Sequence, residues 1–319
     1  MDAVPAAPVA QPPRAAADPA NQNRSKKGHA QAWPFSFHFT TMTKLPTLAF
    51  FALCLWSSAA WIAAGTLPSQ LPALQSQGFH FLLLALATTI VCLSGKTPVN
   101  TQLRLILPGL ALFAAPLILL TNAQTLLSSS YNVLVFALLP IVIVVAQGQI
   151  RWLIPALAGV AGILVLLPVS LPETPRACLG LALVLAAMAL TAWAILTLHR
   201  TPPTAWSIAA IFLATALILT LASPVHTPWS RSIAATEALR CLLLDAPEVL
   251  LLLWLIPRLD PRRLSARWLL APLLTVMEGY LLMRPAAGIR LLIGLALLAI
   301  GGAILLLAPD EHPESLRLY

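Results

Sequence analysis

The sequence predicts an all-α polytopic membrane protein: ten transmembrane helices forming two inverted five-helix repeats. Three observations carry that expectation. Hydrophobic residues make up 59% of the 319-residue chain and charged residues only 9%, with a mean hydropathy of +0.86. A soluble domain carries about 25% charged residues, so a water-facing surface cannot be built from this chain. Ten apolar segments approach the roughly 20 residues that a helix needs to cross about 30 Å of hydrocarbon. The connections between them are short, as neighbouring antiparallel helices require.

The same composition excludes soluble enzymes, nucleic-acid binders and disulfide scaffolds. Porin-like barrels alternate apolar and polar residues, whereas Leu291 to Leu307 is a nearly unbroken apolar stretch. The four cysteines (Cys54, Cys92, Cys178 and Cys241) form no CxxC pair, and metal binding needs clustered ligands. Buried packing is their expected role.

In chain order, residues 1–45 read as a disordered cytoplasmic tail. The first 20 hold eight Ala and five Pro, a composition that cannot bury enough apolar surface to fold. Met42, followed by Thr43-Lys44-Leu45-Pro46 and an apolar run, resembles an ordinary membrane-protein start. The ten segments are expected at about 47–65, 79–95, 103–121, 129–147, 151–170, 177–198, 204–222, 238–257, 267–284 and 288–308. Residues 46–171 and 172–308 form the two five-helix repeats, and 309–319 a cytoplasmic C-terminal tail.

Cations set the expected orientation. With the N-terminus inside, fourteen of the 19 Lys and Arg residues fall on the inner side, among them Lys44, Lys96, Arg151, Arg200, Arg262 and Arg267. Arg176, Arg231, Arg284 and Arg290 fall outside, and Arg240 sits at a span edge. Cytoplasmic loops carry the excess of Lys and Arg, so both termini are expected in the cytoplasm. The net charge of +8 is therefore topology, not a sign of an acidic partner.

The two halves can be laid over each other. Pro140 lies inside span four and Pro272 inside span nine. Span five opens on Gln149-Ile150-Arg151 and carries Gly159 and Gly162; span ten opens on Gly288-Ile289-Arg290 and carries Gly294, Gly301 and Gly302. Those glycines are expected to permit close helix packing. Five helices per half force opposite orientations, and inverted repeats place a binding site at the midplane of many transporters.

These residues resemble the drug/metabolite transporter superfamily, in particular its EamA-like ten-helix members, over about residues 47–308. Cys54-Leu55-Trp56-Ser57-Ser58 is similar to the family's Trp-Gly-Ser opening of the first helix, and Ala192-Trp193-Ala194 to the opening of its second repeat. Ser265 to Leu307 is the most similar stretch. Where the family often shows Gly-Glu after helices four and nine, this chain reads Gln147-Gly148-Gln149 and Met283-Arg284-Pro285. Pro140 to Arg151 is also shorter than Pro272 to Arg290, as though helix four or its loop had lost about two turns.

Ionisable residues inside spans mark candidate sites, since each costs about 2.5–3.5 kcal/mol on insertion scales. Span eight carries Glu237, Arg240, Asp245 and Glu248. At roughly 100° per residue these share one arc of about 140°, which can face a cavity. Pro247 lies between the deeper acids and removes one helix hydrogen bond. Asp245 and Glu248 suit a proton or cation site; structural pairing is the competing reading. Glu278 is the other deep acid, in span nine. Tyr131 and Asn132, with Trp56, Trp61 and Trp193, can line an aromatic pocket or simply pack. His80, near the start of span two, is expected at the membrane interface.

HExxH, Walker, GxSxG and aspartate-rich metal motifs do not occur, so no metal or cofactor is expected and ATP-driven transport by this chain alone is not. The expected function is secondary transport, exporting a small metabolite or drug-like solute with proton or cation coupling. Asp245, Glu248, Glu278, Arg240, Trp56, Trp193, Tyr131 and Asn132 would contact the solute or ion. The alternatives are a membrane-embedded enzyme of lipid metabolism and a non-transporting membrane partner subunit. The expected partners are the lipid bilayer and a small-molecule solute, not nucleic acid; a homodimer is left open. The resemblance implies a bacterial inner (plasma) membrane.

Overall fold

The computed structural model describes residues 45–167, 172–283 and 288–307. The remaining residues of the two predicted tails, and the start at Met42, lie outside them. Among the described residues the secondary structure is helical, with no strand. Ten helical rods follow in order: α1 (Leu45–Thr66), α2 (Ala73–Ser94), α3 (Leu103–Ala123), α4 (Ser130–Ala146), α5 (Ile150–Leu166), α6 (Pro175–Arg200), α7 (Ala205–Ala222), α8, α9 (Arg267–Met283) and α10 (Ile289–Leu307). Rod α8 is composite: Arg231–Arg240 continues through a π-helical turn, Cys241–Asp245, into Ala246–Leu255. A one-turn helix, Pro261–Ser265, leads into α9.

Five rods (α2, α3, α6, α7 and α10) are long and apolar enough to cross a membrane. Rods α4 and α5 are apolar but shorter. The chain is thus an all-helical protein with the helices of an integral membrane protein.

Rod boundaries follow local chemistry. Thr174, Thr204 and Ser230 precede α6, α7 and α8, and each side-chain oxygen accepts the backbone N–H three residues on, at 3.2 Å. This satisfies one of the orphan donors at a helix start. Rod α4 ends where Gly148 takes a positive φ of 70°. The Gly148 N–H then bonds to Val145 O and the Gln149 N–H to Val144 O, the paired closing bonds of a Schellman turn. Lys96 adopts φ 48° after α2 and closes that rod with the same two-bond pattern. Rod α4 stops six residues after Pro140, while α9 runs eleven beyond Pro272. The shortening expected in the first half is thus partly in the helix.

Two rod α8 features differ from expectation. It starts at Arg231, seven residues before the predicted 238, because Ser230 caps it. It also contains the π turn, in which hydrogen bonds reach one residue farther than in an α-helix, as the Ala246 N–H to Cys241 O bond does. The turn ends two residues before Pro247, which has no N–H to offer.

The rods pair in a definite pattern. Rod α2 packs along α7, and α5 along α10. Rod α3 packs on α6 and α1 on α8; α4 packs on α6 and α1 on α9. Glycines make the tightest crossings. A Cβ at Gly162 would lie 2.8 Å from Gly294 O, and one at Gly301 would lie 2.6 Å from Pro155 O. The glycines of α5 and α10 therefore let two backbones touch, as their spacing predicted. Between α2 and α7, a Cβ at Gly78 would meet Thr220 Oγ1 at 2.6 Å. Phe81, Phe113 and Phe212 join α2, α3 and α7 in a buried aromatic cluster, with centroids 5.3–6.1 Å apart. Cys54, Cys92 and Cys241 are buried as expected, whereas Cys178 is exposed.

Candidate functional site

Rods α1, α2, α8 and α9 bring the ionisable residues together along a polar seam. From Glu237 to Glu248 the seam follows α8 for eleven residues, about 16 Å at 1.5 Å per residue.

At one end Glu237 is fully buried. Its Oε1 accepts from the Ser69 hydroxyl (2.7 Å) and its Oε2 from the Ser76 hydroxyl (2.6 Å). The Arg240 Nε lies 3.5 Å from Oε2, and the Arg240 guanidinium also donates to the Leu67 carbonyl. His80, likewise fully buried, places Nε2 3.1 Å from Glu237 Oε2. Its Nδ1 lies 2.8 Å from Asp245 Oδ2, an ion-pair contact off the line a hydrogen bond prefers. Gln77 donates from Nε2 to Asp245 Oδ1 at 3.1 Å. The imidazole expected at the membrane interface is therefore enclosed by protein, bridging two acids eight residues apart.

At the other end Glu248 pairs with Arg267. Arg267 Nη2 also donates to the Ser57 hydroxyl at 2.9 Å. The adjacent Ser58 hydroxyl donates to Glu278 Oε1 at 2.6 Å. The three predicted acids thus sit in three settings: Asp245 with His80 and Gln77, Glu248 with Arg267, and Glu278 with Ser58. Rod α1 contributes consecutive serines: Ser57 accepts from Arg267, and Ser58 donates to Glu278.

Arg267 and Ser57 also line a cleft of about 540 Å³ between α1, α4, α5 and α9. Asn132, Phe136, Trp268, Pro272 and Thr275 form much of its wall. The cleft is mainly apolar with a few convergent polar groups, the character of a small-molecule site. Of the predicted contact residues, Asn132 lines it; Tyr131 is its neighbour in the first turn of α4.

Trp193 on α6 is 42% exposed. Trp56, at 41%, donates its indole N–H to the Leu244 carbonyl at 3.1 Å, across to the π turn of α8. The side chain of Trp61 lies outside the described residues. Trp56→Phe removes one donor to a carbonyl in the turn preceding Pro247, and a hydrogen bond is worth about 0.5–1.5 kcal/mol net. It is expected to lower the thermal unfolding midpoint of the purified chain, while Trp193→Phe leaves it near wild type.

His80 and Arg267 are the residues that sequence reasoning did not place here. Arg267 was counted with the loop cations, and His80 lies 157 residues from Glu237. Only a polar residue inside an apolar run signalled either one.

The chain matches no protein-family model and no curated protein. Among solved structures it is similar to one described as "Crystal structure of protein", at 21% identity and a TM-score of 0.67. The match covers 82% of this chain and 98% of that one. At that identity the likeness is one of fold.

Proposed function

We propose that the protein is a secondary transporter of the drug/metabolite transporter kind, with ten spans in two inverted repeats and both termini in the cytoplasm. The observation that carries the reading is the polar seam of α8 with the half-open cleft beside it. Ionisable residues inside apolar rods are expensive and typically face a solute or ion path. The pairing of rods supports the repeat. Adding five to each rod number, modulo ten, turns the α3–α6 contact into α8–α1 and α4–α6 into α9–α1, and maps α2–α7 and α5–α10 onto themselves. A pseudo-two-fold axis relating the halves gives that pattern, and sites lie near such axes in inverted-repeat transporters.

On this reading the solute occupies the cleft, held by Asn132 and by Arg267, whose charge Glu248 balances from behind. Asp245, Glu248 and Glu278 supply the proton or cation coupling, and export runs from the cytoplasm across a bacterial inner membrane. The test is efflux from proteoliposomes loaded with a panel of amino acids, weak organic acids and cationic dyes. Under a pH gradient, wild type is expected to carry at least one of them. The combined Asp245→Asn, Glu248→Gln, Glu278→Gln variant is expected to lose the pH dependence. Unchanged pH-dependent flux in the variant, or an inert wild type, overturns the reading.

A further inference from the structure

Both ring nitrogens of His80 face carboxylates: Nε2 faces Glu237 at 3.1 Å, and Nδ1 faces Asp245 at 2.8 Å. A neutral imidazole has one N–H and one bare nitrogen. Between two ionised carboxylates, the bare nitrogen would press its lone pair against an oxygen lone pair with no hydrogen between them. At 2.8 Å a bare ring nitrogen and a carboxylate oxygen repel even off the hydrogen-bond line, so the contact favours two protons among the three groups. In the loaded state both are on the ring, one facing each carboxylate.

Charge balance agrees. Among the described residues, Arg240 is the other cation in contact with the cluster. Rods α1 and α7, which pack on α8 and α2, carry no Lys, Arg, Asp or Glu, and α3 carries only Arg104, in its first turn. Cys241, beside the cluster, donates its thiol to the His80 carbonyl. With the second proton present, two cations face two anions. Without it, two carboxylates share one cation, Arg240, in a site whose Glu237 and His80 side chains are closed to solvent, which is unfavourable.

We propose that Glu237, His80 and Asp245 form a proton-exchange site, loaded and emptied through Asp245. Asp245 is the member open to its surroundings, with its side chain 26% exposed against 0% for His80 and Glu237. Two hydroxyls, a ring nitrogen and a guanidinium converge on Glu237, which makes it the resident anion. A proton passes from water to the Asp245 carboxylate and on to His80 Nδ1, and leaves by the reverse path; no other bond changes. The role of this exchange in coupling rests on the transporter reading. Glu248 and Glu278, engaged by Arg267 and by the serines of α1, lie outside it.

The test is ¹⁵N NMR of the full chain, labelled at histidine, in lipid nanodiscs, with His80→Gln assigning the signal. At neutral pH the wild type is expected to show both nitrogens of the triad's ring in the proton-bound range, with one proton lost as the pH rises. In Asp245→Asn, one ring nitrogen is expected to be bare already at neutral pH, while Glu173→Gln, at an exposed loop position, leaves the signals unchanged. A wild-type ring with one bare nitrogen across the pH range overturns the proposal, whether or not any variant folds. The transporter reading fails separately: two exchangeable protons in a chain that carries no panel solute would leave the site standing and the reading overturned.

Discussion

Gly301→Val is expected to lower the thermal unfolding midpoint of the purified chain more than any other glycine substitution in α10. The Cβ it adds would lie 2.6 Å from Pro155 O and 2.7 Å from Gly159 N. Both are backbone atoms, so no side-chain rotation relieves the contact, and α5 and α10 must move apart. Overpacking a close-packed interior costs about 1–3 kcal/mol and at times more. In lipid there is little hydrophobic drive to hold two helices together once their surfaces no longer fit. Gly162→Val, whose Cβ would lie 2.8 Å from Gly294 O, is expected to behave alike from the other side of the crossing. The reference is Gly279→Ala in α9, where nothing lies within 4 Å of an added Cβ. There the better helix propensity of alanine, worth up to about 1 kcal/mol, is expected to hold or raise the midpoint. A Gly301→Val chain melting with wild type would show that the two backbones do not cross at that point.

Close packing at Gly159, Gly162, Gly294 and Gly301 was readable in the sequence because small residues have few purposes inside apolar helices; that α5 and α10 are each other's partners is seen only in the structure. Apolar runs placed some rods closely, as with the predicted 204–222 against Ala205–Ala222, while the capping residues that set the ends are seen in the structure. The seam was readable only in part. The four ionisable residues of α8 stand out in the sequence, but a common arc of about 140° holds only for an ideal α-helix. The π turn at Cys241–Asp245 changes the phase between Arg240 and Glu248. A hydrogen-bond register of that kind has no signature in residue type, although Pro247 signalled an irregularity nearby. Their partners were hidden because contact across rods is non-local. His80 reads as one polar residue in an apolar run until α2 is laid against α8, and Arg267 reads as a loop cation until α9 is laid beside Glu248.

Glu237→Leu is expected to be among the most damaging single substitutions in the chain. It leaves His80 without its fully buried partner, removes the carboxylate next to Arg240, and deprives the Ser69 and Ser76 hydroxyls of their acceptor. Breaking a buried pair by deleting one member costs about 3–5 kcal/mol, because the remaining charge stays buried and unmatched. Glu237→Gln keeps the shape and an acceptor oxygen, so a smaller fall in the unfolding midpoint is expected. The double variant Glu237→Leu, His80→Leu is more informative. Replacing buried ionic groups by apolar ones of similar volume is often neutral or stabilising, and it leaves Arg240 and Asp245 as one cation and one anion on the same rod. The double variant is therefore expected to melt higher than Glu237→Leu alone, a non-additivity that a double-mutant cycle reads directly. Additive losses would mean that His80 and Glu237 are not energetically joined. Recovery of stability without recovery of proton exchange would separate the two roles of the triad, since the fold can dispense with its charges while a proton site cannot.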